Sequence, residues 1–200
     1  MTYASEQNDE LPSEEQRPPR LPLSPAEKYI LSGVATILLS MIVPLLLGLQ
    51  AARLQRMAEA DIRALLRASD RFFAEYGRWP TARMGTINDV RYGDERSNAE
   101  VIHMLRGVAG PGNENHQGNP HRIVFLEVGR SGFRRSGINA DGAFVDPWGM
   151  QYQIAIDTDM NEVVTMIRSA YPNLLATSVA IWSSGPDRRS DTSQDIVSWE

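Results

Sequence analysis

Three aspartates, Asp187, Asp191 and Asp195, recur every four residues in the polar stretch "SGPDRRSDTSQDI" near the end of the sequence. Calcium takes oxygen ligands from carboxylates, carbonyls and side-chain amides. Asp187 and Asp195 bracket this stretch, so a cation between them would neutralise both and close it into a loop. A turn is the other reading, with Asp187 capping its own backbone and Arg188 and Arg189 pairing locally. Gln194 offers an oxygen without charge. The loop ends must approach if Trp182 and Trp199 both pack on one sheet.

Other reactive groupings are sparse. "DTDMNEVV", from Asp157, starts like a calcium loop of the helix-loop-helix type, but Glu162 stands where glycine is needed and Arg168 where the closing glutamate is needed. It reads as a hairpin turn. His103, His116 and His121 have no metal-binding spacing, and there is no cysteine. No serine stands in a nucleophile elbow, and "GPGNENHQGNP" lacks the Lys-Ser/Thr of a phosphate loop. The residues suggest no enzyme. A net charge of −5 argues against a nucleic-acid partner.

The elements that position the acidic loop follow from hydrophobic patterning. "YILSGVATILLSMIVPLLLGL", residues 29–49, is free of charge and long enough to span a bilayer. It starts too late and runs too long for a cleaved signal peptide. Helical periodicity continues through Leu54, Met57, Ala58, Ile62, Leu65, Leu66, Phe72, Phe73 and Tyr76 to Gly77, which predicts one helix over residues 25–76 with Pro44 inside it. The expected organisation is a disordered, cytoplasmic tail over 1–25, a transmembrane helix over 26–49 and its amphipathic continuation over 50–77. A loop and helix region over 78–143 follows, then a β-sheet with its acidic closing loop over 144–200. Within these, 97–110 reads as a helix capped by Ser97 or Asn98. Residues 122–128 read as a strand or extended segment, and 78–97 as loop. Strands are expected at 151–157, at its return partner 162–167, and at 177–184. Trp148, in the turn "DPWG", is expected beneath the sheet.

Taken in order, Val43-Pro44, Asp61-Ile62, "GRWPT" from Gly77, "DPWGMQY" from Asp146, and "SSGPD" through "DIVSW" from Ser183 to Trp199 resemble the major pseudopilins of bacterial type II secretion. The resemblance covers roughly residues 23–81 and 144–199. It implies an α+β, pilin-like fold, with a long membrane-spanning N-terminal helix packed on a small antiparallel sheet. It also implies a structural subunit of a periplasmic pseudopilus that helps export folded proteins. Its partners would be its own copies or other pseudopilins, and an inner-membrane secretion platform. Anchoring would be single-pass in the bacterial inner membrane, with the C-terminal domain periplasmic. This orientation comes from the resemblance, because the arginines after the span outnumber the basic residues before it.

The resemblance further implies calcium in the closing loop, held by Ser184, Asp187, Gln194 and Asp195, although Ser193 and Gln194 stand where the family commonly has aspartates. Glu27 and Pro44 would serve assembly. The peptidase site departs from the family: Pro22 replaces the glycine before the cleavage point and Leu23 the phenylalanine after it. A membrane-anchored binding module, or a regulatory subunit outside any filament, is the alternative.

Overall fold

The computed structural model describes residues 24–85, 89–166 and 173–199. The expected tail, with Pro22 and Leu23, lies outside them, as does Arg168. The architecture is α+β: one long N-terminal helix and a small antiparallel sheet.

Helix α1 runs Pro25–Tyr76 without interruption through Pro44. Its first turn is a capping box. The Glu27 N–H donates to Ser24 Oγ at 3.3 Å, and Ser24 N–H donates back to Glu27 Oε2 at 2.8 Å. Its last turn closes with Gly77 N–H donating to Phe73 O at 2.7 Å. The chain divides into two compact units, one ending at Leu46 and the other beginning at Leu47. In the first unit every described residue is exposed, and the polar side chains fold back on the helix: Thr36 Oγ1 donates to Ser32 O and Ser40 Oγ to Ile37 O. Such local bonds satisfy hydroxyls where no water is at hand. This is the described helix long and apolar enough to cross a membrane.

In the second unit, Leu54, Ala58, Ile62, Leu65, Ala68 and Phe72 are buried at helical spacing. Strands β1 (Val90–Tyr92), β4 (Gln153–Ile156), β7 (Val179–Ser183) and β8 (Ile196–Val197) form the main sheet in the order β1-β4-β7-β8, antiparallel throughout. Ile154 pairs with Tyr92 on one side and Ile181 on the other. Alternation sorts the two faces. Tyr92, Ile154, Ile156, Val179 and Ile181 join the core that includes Ile62, Leu65 and Phe72. Ala155, Ala180 and Trp182 join a second core with Val164, Met166 and Leu175.

The shorter elements correct several expectations. Helix α2 is Ala99–Arg106, ended by Gly107 at φ 64°; a Cβ there would lie 2.7 Å from Arg122 O, so only glycine fits. Asn98 precedes α2 but makes no side-chain cap bond. Residues 122–128 form no strand. Phe125 and Leu126 both donate their N–H to Leu105 O, an otherwise orphaned carbonyl of the last turn of α2. Conversely β1 lies in the segment read as loop. The return strand expected at 162–167 is two residues, β5 (Val164–Thr165), and pairs with β6 (Leu174–Leu175) rather than with β4. Its last residue, Ile167, lies outside the described residues. β4 is already flanked by β1 and β7. A further pair, β2 (Gly137–Ile138) with β3 (Phe144–Val145), completes the strands described.

Candidate assembly helix and closing loop

The sequence landmarks become attachments between α1 and the domain. Asp61 faces inward, and Tyr152 OH donates to its Oδ2 at 2.8 Å. Burial raises the Asp61 pKa above the usual carboxylate range, opposed by hydrogen bonds from Ser136 and Tyr152. Burial, then the Asp61 charge, pushes the Tyr152 phenol up as well. In "GRWPT", Trp79 stacks on Phe73 with centroids 4.5 Å apart, Arg78 donates to Gly118 O, and buried Thr81 shares a 2.6 Å hydrogen bond with Tyr92 OH.

The Asp61 shift has a pH consequence. Its pKa is higher folded than unfolded, so its contribution to stability is complete below the unfolded value and is lost as pH rises through the folded one. Asp61→Asn keeps an acceptor for Tyr152 OH and removes the charge. Urea midpoints between about pH 4 and 7 are therefore expected to fall less with rising pH in this variant than in the parent protein. An equal slope refutes the assignment.

"DPWG" forms the base of the closing loop. Asp146 Oδ1 accepts from Trp148 N–H at 3.0 Å and Met150 N–H at 2.9 Å. Its Oδ2 accepts from Ser183 Oγ at 2.6 Å, and Ser183 Oγ accepts from Gly185 N–H at 3.1 Å. One buried carboxylate thus ties the turn to the first residues of the loop. Its pKa is raised by burial, against these same hydrogen bonds. Trp148 is not beneath the sheet. It is half-exposed and lines a groove of about 420 Å³ with Leu47, Gln50, Leu54 of α1 and Gln194 and Ile196 of the loop. The fully buried tryptophan is Trp182, in the second core.

The loop ends do meet. Trp182 and Trp199 pack edge to face with centroids 5.9 Å apart, and Ser198 Oγ accepts from Ile181 N–H at 3.0 Å. Asp187 Oδ2 and Asp195 Oδ1 lie 2.9 and 3.2 Å from one hydroxyl, Thr192 Oγ1. The hydroxyl can give its proton to only one of the two carboxylates, and it accepts from Gln194 N–H at 3.2 Å; oxygens of these types are the ligands a hard cation takes. Asp187 Oδ1 accepts from Arg189 N–H, the turn bond anticipated from sequence. Arg188 and Arg189 are exposed and form no ion pair among the described residues. Ser184 is buried with its hydroxyl 2.8 Å from Ser190 Oγ, and Gln194 is exposed on the groove side. Gly185, at φ 66°, lets the Gln194 carbonyl press against the loop start. Thr192 carried no signal in the sequence beyond its place between the acids.

The turn that starts at Asp157 gains an acid that its sequence did not announce. Asp89, from the segment before β1, brings a carboxylate oxygen within 4.8 Å of those of Asp157 and Asp159. These acids shape the turn: Asp157 accepts from Met160 and Glu162 N–H, and Asp89 from Thr165 N–H. Glu162 adopts φ 63°, a bend that glycine adopts more readily.

Among solved structures, the major pseudopilin from the type 2 secretion system of enterohaemorrhagic Escherichia coli is similar to this chain at 18% identity, covering 77% of this chain and 89% of that one, with a TM-score of 0.37. No family model matches, and no curated protein matches. At that TM-score the fold description rests on the chain's own elements.

Proposed function

We propose that this protein is a pilin-like structural subunit, anchored in a membrane through residues 29–49 and assembling through α1 into a pseudopilus of a type II secretion-like machine. One observation carries the reading: a single helix is exposed at every residue from Pro25 to Arg53 and becomes half-buried on its domain only from Leu54. An apolar helix that emerges from lipid must be covered, and copies of itself offer a matching surface. Energy would come from a separate ATPase. Glu27 is exposed at the helix start, where a carboxylate favours the helix dipole. Its role in neighbour recognition, and that of Pro44 in shaping the packed helix, rest on the family resemblance. Cross-linking through cysteines placed in the exposed helix tests assembly.

The closing loop holds calcium in this reading, with Asp187 and Asp195 supplying charge and Gln194 and Ser184 further oxygens. Calcium would neutralise the carboxylates and fix the C-terminal strand to the sheet. At a hundredfold excess over Kd, a ligand bound only to the folded state stabilises by about 2.7 kcal/mol. Thermal unfolding of the purified chain with calcium is therefore expected roughly 5–10 °C above that with a chelator, given the shift per kcal/mol for domains of this size. Asp187→Asn with Asp195→Asn should abolish the difference. Identical curves with and without chelator would remove calcium from the account.

A further inference from the structure

A hairpin in the region that the family resemblance leaves uncovered points to a second membrane contact. Gly132 and Arg135 exchange backbone hydrogen bonds, each 3.1 Å, so Phe133 and Arg134 form a two-residue tip. Phe133 is 93% exposed, the most exposed large apolar side chain described. Arg134 folds its guanidinium 5.5 Å from the Phe133 ring centroid. Arg130 and Arg135 flank the tip, and none of the three arginines forms an ion pair among the described residues. An aromatic ring on a loop tip, ringed by unneutralised cations, has the chemistry of an interfacial anchor for anionic lipid.

The tip is also held at the right level. Arg134 Nη1 donates to Gln50 Oε1 of α1. Gln50 is the residue immediately after the apolar stretch that ends at Leu49, which is itself 60% exposed. Leu54 is the first helix residue that the domain buries. Leu54 lies five residues beyond Leu49 on the helix, a rise of about 7.5 Å. A headgroup layer is roughly 5–8 Å deep on each side of the hydrocarbon core. With residues 29–49 in the bilayer, helix residues 50–54 would fall within such a layer.

We propose that the 130–135 hairpin docks on the bilayer surface, with Phe133 at the boundary of headgroup and acyl chain and Arg130, Arg134 and Arg135 on anionic phospholipid headgroups. The contact would hold the domain against the membrane before extraction of the subunit. The inference rests on residues 29–49 being the anchor, as proposed above.

The chain has no cysteine, so single spin labels can be placed without background. Gly132→Cys leaves Phe133 intact, and a Cβ at 132 meets nothing nearer than 3.9 Å. The full chain is reconstituted in vesicles of phosphatidylcholine alone or with phosphatidylglycerol, with oxygen and a water-soluble nickel chelate present on both sides. Labels at Leu38→Cys, in the span, and at Ala109→Cys, exposed on a loop, serve as lipid and water references. In vesicles containing phosphatidylglycerol the label at 132 should show an oxygen-to-nickel accessibility ratio roughly threefold above the 109 label, as expected of a tip buried at the interface. Adding Phe133→Ser should return it to the water value, and omitting the anionic lipid should lower it. A ratio at 132 equal to that at 109 overturns the proposal while leaving the anchor intact, provided the 38 label lies in lipid. A ratio indifferent to lipid charge overturns the assignment to anionic headgroups. Protection at 132 that scales with protein-to-lipid ratio overturns it in favour of a contact between subunits. A water-exposed label at 38 removes the anchor and this contact together.

Discussion

Asn98→Ala is expected to lower the stability of the folded domain by about 4 kcal/mol, a large share of the roughly 5–15 kcal/mol available to a domain. Asn98 is fully buried. Its Oδ1 accepts from Phe144 N–H at 2.9 Å, and its Nδ2 donates to Phe144 O at 2.8 Å and Tyr152 O at 2.9 Å. One amide therefore satisfies three backbone groups across the gap between β3 and the start of β4. Alanine leaves the Phe144 N–H and the Tyr152 carbonyl buried without this partner, at about 1–3 kcal/mol each before relaxation or water entry, while the Phe144 carbonyl keeps Tyr152 N–H at 3.1 Å. The urea midpoint of the detergent-solubilised chain measures the effect. A loss below about 1 kcal/mol, the cost of an ordinary cap, would contradict this role.

Phe72→Ala should cost about 3–5 kcal/mol by the usual penalty for emptying a buried aromatic site. Phe72 is fully buried in α1, with Tyr76 at 4.7 Å and Phe125 at 5.4 Å between ring centroids. Arg78 lies 5.6 Å over its ring. These contacts join the end of α1 to the extended 122–128 segment, which Arg71 also grips through Phe125 O. The variant should therefore show more than a lower midpoint: limited proteolysis should cut first near residues 77–79 and 122–128. Cleavage confined to the C-terminal loop would show that Phe72 does not hold these segments.

The two residues illustrate what sequence can and cannot say. Phe72 was legible because helical periodicity carries through Leu65 to Tyr76 and the caps at Ser24 and Gly77 are local. Asn98 stood where a helix cap is expected, and its real partners lie more than forty residues away. β1 was hidden for a related reason. Val90–Tyr92 sits among Gly, Asp and Arg, and only its register with Ile154–Ile156 makes it a strand. The apolar run 122–128, left open between strand and extended segment by its sequence, pairs in no sheet because its backbone is taken up by the end of α2. In the closing loop, the approach of Asp187 and Asp195 followed from the need to pack two tryptophans. The bridging hydroxyl of Thr192, and Asp89 beside Asp157, depend on chain reversals that no local pattern announces.

In the proposed filament the exposed part of α1 meets other copies of itself. A pair of cysteines, one near each end of the exposed apolar segment, for example Ile30→Cys with Leu45→Cys, tests it in native membranes because the chain has none of its own. Head-to-tail packing joins the two different positions on successive subunits and propagates, whereas a two-fold pair stops at two. Mild oxidation should therefore give a ladder of dimers, trimers and higher species with the double variant and no species beyond dimers with either single variant. Monomers alone, or dimers alone, from the double variant would contradict assembly into a filament.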